Sequence, residues 1–167
     1  MSVVVADNSP IDVLVRLGYQ EVLPNLFGRV VIPIQVQAEL LSPHTPEITH
    51  KFIVSPPEWL DISEPRSIEA IPRLHAGEEA AIALALELQA ELLIIDDARG
   101  RQEAKKRGLA ITGVIGVLEA AARRELLGLA DAFRRIQTET DFRIRPELLA
   151  ARLKEFHNWR KEQLDGG

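Results

Sequence analysis

Apolar positions along the chain follow two spacings. Val3-Val4-Val5, Val30-Val31-Ile32, Leu92-Leu93-Ile94-Ile95 and Leu109-Ala110-Ile111 are short unbroken runs, the pattern of strands buried on both faces. Trp59-Leu60-Asp61-Ile62 suggests a further strand at a sheet edge. Between the runs, apolar residues return every three or four positions. Ile11, Val13, Leu14 and Leu17 predict a helix after Ser9-Pro10 that ends at Gly18, and a shorter one is expected within 19–26. Pro33 opens a helix over 34–41, and 47–54 forms another before the turn at Pro56-Pro57. Gly77 to Leu88 reads as an amphipathic helix, 98–107 as a charged one ended by Gly108, and 114–122 as an apolar one. Strands alternating with helices demand parallel βαβ units. The expected fold is therefore a three-layer α/β/α sandwich around a mainly parallel sheet of four or five strands. After Leu129 the pattern is helix only, over 130–136 and from Pro146 to about 161. The chain thus divides into an α/β domain, 1–128, and a helical extension, 129–167, packed on the same domain or on a partner.

Acids stand where this pattern changes. Asp7 follows the first strand, Asp96-Asp97 follows the central one, Glu78-Glu79 opens the helix before it, and Glu39 lies among apolar residues on the helix after Pro33. Ligands of open α/β sheets bind beyond the carboxyl ends of parallel strands. Each acid also has a structural explanation. Asp7 can cap the following helix, although Asn8 and Ser9 are equally able to do so. Charge in the first turn of a helix suits its dipole, which accounts for either Glu78 or Glu79. One of Asp96 and Asp97 is a natural helix cap, and Glu39 can be solvated or paired with an arginine.

Composition narrows the chemistry. At 167 residues the chain is one domain of ordinary size. With no cysteine there is no disulfide, thiolate nucleophile or Cys-based metal site, so carboxylate oxygens point to a hard cation, Mg²⁺ or Mn²⁺. His44, His50, His75 and His157 lack zinc-ligand spacing. The net charge of −5 argues against broad attraction to nucleic acid or anionic membrane, while a local basic patch can override that mean. No apolar run approaches the length of a bilayer span, and the first residues lack a signal-peptide pattern, so a cytoplasmic protein without membrane contact is expected.

Five segments in order, VVVADNSPI, VIPIQVQAEL, GEEAAIALA, LLIIDDARGRQEAKKRGL and TGVIGVL, resemble a PIN domain, the nuclease fold of VapC-like toxins, over roughly residues 3–127. The resemblance implies a divalent-metal endoribonuclease, usually dimeric and often the toxin of a toxin–antitoxin pair. Asp7, Glu39, Glu78 and Asp96 match the family's acidic positions, and Ser9 its small hydroxyl residue after the first acid. Common VapC toxins carry Asp where Glu78 stands, and Thr or Ser where this chain has Ile94-Ile95. Asp97 consequently rivals Asp96 as a metal ligand, as Glu79 rivals Glu78. The expected partners are an RNA substrate, an antitoxin protein and a second copy of the chain, with Arg101 contacting phosphate or orienting a carboxylate. The alternative is a non-catalytic PIN-like module, an inactive toxin relative that binds RNA or an antitoxin.

Overall fold

The computed structural model describes residues 2–167. Its centre is a five-stranded parallel sheet in the order β3-β2-β1-β4-β5, formed by β1 (Val4–Ala6), β2 (Val30–Pro33), β3 (Leu60–Ser63), β4 (Leu92–Ile94) and β5 (Ile111–Thr112). The central strands β1, β2 and β4 are buried on both faces and end where polar residues begin, while the edge strands β3 and β5 are only partly buried. Side chains alternate across the sheet, so Val4, Ala6 and Ile94 enter one core while Val5, Leu93 and Ile95 enter the other. This two-sided burial is the reason the runs carry no polar residue.

Helices α1 (Asn8–Leu17), α2 (Val22–Phe27), α3 (Ile34–Leu40) and α4 (Glu47–Val54) contribute to the first core. The second core is covered by α5 (Ala76–Glu87) and α6 (Ala98–Lys106), through Ala81, Ile82, Leu84, Ala85 and Ala104. Three more helices complete the first layer: α7 (Val114–Arg123), α8 (Leu129–Glu139) and α9 (Pro146–Asp165). Leu129, Phe133, Ile136, Leu149 and Phe156 are buried in the same core as β1 and α1, so the C-terminal helices pack on their own chain. Glu119 on α7, buried beneath this layer, is held by the Arg152 guanidinium from α9. The expected sandwich is the observed one, with β3 at the edge.

Two of the boundary shifts have a clear cause. The strand expected at 109–111 is confined to Ile111–Thr112, because Gly108 takes a φ of 80° and Leu109 donates to Ala104 O at 3.1 Å, spending the preceding residues on the turn. Helix α9 runs on to Asp165, since nothing interrupts it before Gly166. Among the described residues no helix is long and apolar enough to cross a membrane.

Sheet order decides where a site can open. From β1 the chain crosses to β2 on one side and later returns to β4 on the other, so the carboxyl ends of β1 and β4 flank the point where strand order reverses. Loops leave in opposite directions there, and a crevice opens. Leu93 is fully buried at this centre. Leu93→Ala is expected to lower the unfolding free energy by about 2–5 kcal/mol in urea denaturation; a loss under about 1 kcal/mol would mean the β4 core is loosely packed.

Candidate active site

Asp7 leaves β1 directly into this crevice. Register Ala6↔Ile94 and the bond from Asp7 N to Ile94 O at 2.9 Å set it beside the end of β4, two residues before Asp96. Its side chain is 4% exposed, and Oδ1 has no hydrogen-bond partner among the described residues. Asp7 stands at the N-cap position of α1, but its carboxylate makes no capping bond. Burial pushes its pKa from 3.8 up to about 7. The Asn8 backbone N–H opposes the rise, and negative charge on Glu78, Glu39 and Asp96 adds to it. Asp7 therefore lies within electrostatic reach of each of the other three acids.

Glu39 reaches the crevice from α3 and joins three elements. It accepts from the Asn8 side-chain amide at the start of α1 and from the Gly77 backbone N–H at 2.8 Å in the first turn of α5. A Cβ at Gly77 would collide with both Glu39 oxygens, so only glycine permits this approach. Glu78 bends back to accept from His75 N at 2.8 Å, which satisfies one of the free N–H groups of α5. Its neighbour Glu79 turns elsewhere and accepts from Ile71 N at 2.9 Å.

Asp96 crosses from the end of β4 to the start of α7, where both oxygens accept from Val114 N, at 3.1 and 3.2 Å. Burial pushes its pKa up to about 6, against the Val114 N–H and the positive charge of Arg101. Arg101 itself donates to Ile95 O at 2.9 Å. A Cβ at Gly113 would strike Asp96 Oδ1 and stand 3.0 Å from Arg101 Nη1, so Gly113 keeps this corner open. Asp97 caps α6 by accepting from Gly100 N at 2.7 Å, and its side chain is exposed. Ser9 is half-buried in the first turn of α1. Of the basic residues on α6, Arg99, Lys106 and Arg107 gather around Glu103. Arg101 alone among them faces the acids.

Asn8, Gly77, Gly113 and Val114 escaped the reading of side-chain chemistry. Asn8 acts through its side-chain amide, Gly77 and Val114 through backbone N–H groups, and Gly77 and Gly113 through having no Cβ, none of which marks a residue as functional before the fold is known. The pairing of each with a candidate acid, Asn8 after Asp7 and Gly77 before Glu78, was the available signal. His44, His75 and His157 are exposed and His50 is half-buried.

In chemical type the residues fit a divalent cation: the donors are all oxygen, and the buried Asp7 Oδ1 lacks a partner. Among the described residues, however, no three His, Asp or Glu side chains are gathered as a ready-made chelate. Three of the four acids are turned toward N–H donors instead.

A family model for the PIN domain matches residues 3–158, and the chain belongs to that family. The match takes in α8 and most of α9. PIN domains are generally nucleases that use divalent metals. Among solved structures, a PilT N-terminus domain protein from the hyperthermophilic archaeon Sulfolobus solfataricus P2 is similar with a TM-score of 0.53 and 18% identity. It covers 71% of this chain and 92% of its own, a likeness of fold alone. No protein of curated function matches significantly.

The raised pKa of Asp7 has a consequence for stability. Between the unfolded value of 3.8 and the folded value of about 7, the folded chain holds a proton that the unfolded chain has released. The stabilisation is complete below the lower value and lost as pH rises through the upper one. In EDTA, stability toward urea is expected to fall from about pH 5 to about pH 8, and Asp7→Asn to remove most of that slope, gaining up to about 4 kcal/mol at the alkaline end. An unchanged slope in Asp7→Asn would show that Asp7 is ionised throughout.

Proposed function

We propose that the protein is an endoribonuclease that hydrolyses RNA phosphodiesters with Mg²⁺ or Mn²⁺, acting as the toxin of a cytoplasmic toxin–antitoxin pair and as a homodimer. The observation that carries the catalytic part is the buried carboxylate of Asp7, its Oδ1 unpartnered among the described residues, under the charge of Glu39, Glu78 and Asp96 at the carboxyl edge of a PIN-family sheet. Toxin role, antitoxin partner and dimer follow from the PIN resemblance. Single-stranded RNA suits an open cleft better than a duplex, whose grooves are read by larger surfaces.

Asp7 and Asp96 would hold the cation, with Glu39 and Glu78 reaching it through water. When bound, a divalent ion supplies an acidified water for attack and neutralises charge on the leaving oxygen. The chain's own groups set the conditions. Asp7 must give up its proton before it can act as a ligand, so metal affinity strengthens as pH rises through about 7. Val114 N and Arg101 hold Asp96 ionised and aimed at the crevice. Asp97, engaged as a cap, serves the start of α6. Ser9 and Arg101 would contact phosphate.

One observation favours a second reading, a non-catalytic PIN-like module that binds RNA or an antitoxin. Glu39 and Glu78 already have hydrogen-bonding work at the start of α5, and no three-ligand cluster stands assembled among the described residues. Cleavage separates the two. Single-stranded RNA incubated with Mn²⁺ should be cut by the wild type, while Asp7→Asn and Asp96→Asn each lose about 100-fold or more and Arg101→Ala loses about tenfold. Equal cutting by wild type and Asp7→Asn would locate the activity elsewhere; no cutting by the wild type would favour the binding module.

A further inference from the structure

Beyond Asp96 the crevice continues into a cleft of about 460 Å³, a volume suited to one nucleoside. Its inner end is Asp96 and Arg101; its floor is Gly113 and Gly116 at the start of α7. The outer wall comes from the segment between α8 and α9, through Phe142 and Ile144, and from Leu148 in the first turn of α9. No Cβ narrows the floor, and at Gly116 a Cβ would collide with the Thr112 hydroxyl.

That outer segment, Asp141-Phe142-Arg143-Ile144-Arg145, alternates. Phe142 and Ile144 turn inward and are half-buried, while Arg143 and Arg145 are exposed. It is also pinned. Arg16 holds Asp141 at 2.9 Å, and Phe142 N donates to Thr140 Oγ1 at 3.2 Å. Nearby arginines have acid partners, Arg135 in Glu139 and Arg152 in Glu119. Arg143 and Arg145 have none among the described residues, and they flank an adjoining open groove of about 500 Å³ that shares Phe142 and Ile144. In a chain of net charge −5, two unpaired cations beside a mixed cleft that presents Phe142 and Ile144 mark a place for a polyanion with flat apolar groups.

We propose that this cleft seats one unpaired base of single-stranded RNA against Phe142, next to the nucleotide at the acidic site, with Arg143 and Arg145 tracking the phosphates that lead away. The polymer's identity rests on the nuclease reading; the subsite itself does not need catalysis. The C-terminal segment would therefore set which strands enter, accepting a splayed base and rejecting a duplex whose bases stay stacked.

Binding measured without metal keeps the two ideas apart. In EDTA, anisotropy of a fluorescein-labelled oligoribonucleotide should show Phe142→Ala weakening binding about tenfold, with Phe142→Tyr close to wild type and Phe142→Leu as weak as Ala. Phe142→Leu preserves apolar packing, so its loss reports stacking and not a folding defect. Arg143→Glu with Arg145→Glu should flatten the slope of log Kd against log salt by at least about 1.4, the share of two phosphates on a single strand. An abasic oligonucleotide should bind wild type and Phe142→Ala alike. Phe142-dependent binding by a protein that cuts nothing would support the subsite and sink the nuclease; cutting with unchanged binding in every Phe142 variant would sink the subsite alone. Phe142→Ala that binds RNA normally but alters the mass in light scattering would give the cleft to a second copy of the chain and overturn the proposal.

Discussion

Everything at the site depends on one desolvated carboxylate. Asp7 is fixed by the backbone of β1, paired in register with β4, and enters the crevice with no freedom to retreat to solvent. A lone buried carboxylate resists ionisation, and three acids nearby make it worse. The chain relieves the neighbours instead: Glu39 takes two donors, Glu78 one, and Asp96 the first N–H of α7 and the field of Arg101. Only Asp7 Oδ1 is left with nothing. A proton, an ordered water or a cation is each able to satisfy it.

The same bonds that position the acids also hold the fold together at its open edge. Glu39 links α1, α3 and α5, and Asp96 links β4 to α7, so four helices and a strand meet through carboxylates at the switch point. Functional and structural explanations of these residues are therefore not exclusive. A Glu that completes the first turn of α5 still has lone pairs that this one bond does not use. The glycines at 77 and 113 belong to this arrangement because the carboxylates occupy the space their side chains would need.

Much of this architecture was legible in the residues. Two-sided burial left apolar runs that named the strands, and helical spacing named the layers between them. Gly18 and Gly108 were readable as helix stops, and both take positive φ, 73° and 80°. What could not be read was direction. Glu78 and Glu79 are indistinguishable in a first turn, yet the rotation of α5 sends one to His75 N and the other to Ile71 N. Likewise Asp97 caps α6 while Asp96 crosses to α7, a choice made by where β5 delivers the next helix. The segment around Phe142 lies between the two helices read at the C-terminus, and its alternation acquires meaning only when α7 supplies the opposite wall.

Anomalous diffraction from a crystal soaked in Mn²⁺ at slightly alkaline pH addresses the central claim most directly. The account predicts one strong peak within coordination distance of both Asp7 and Asp96, with Glu39 and Glu78 no further than a bridging water. A crevice without manganese while Asp7 stays intact, or an ion held by Asp97 at the start of α6, would contradict it.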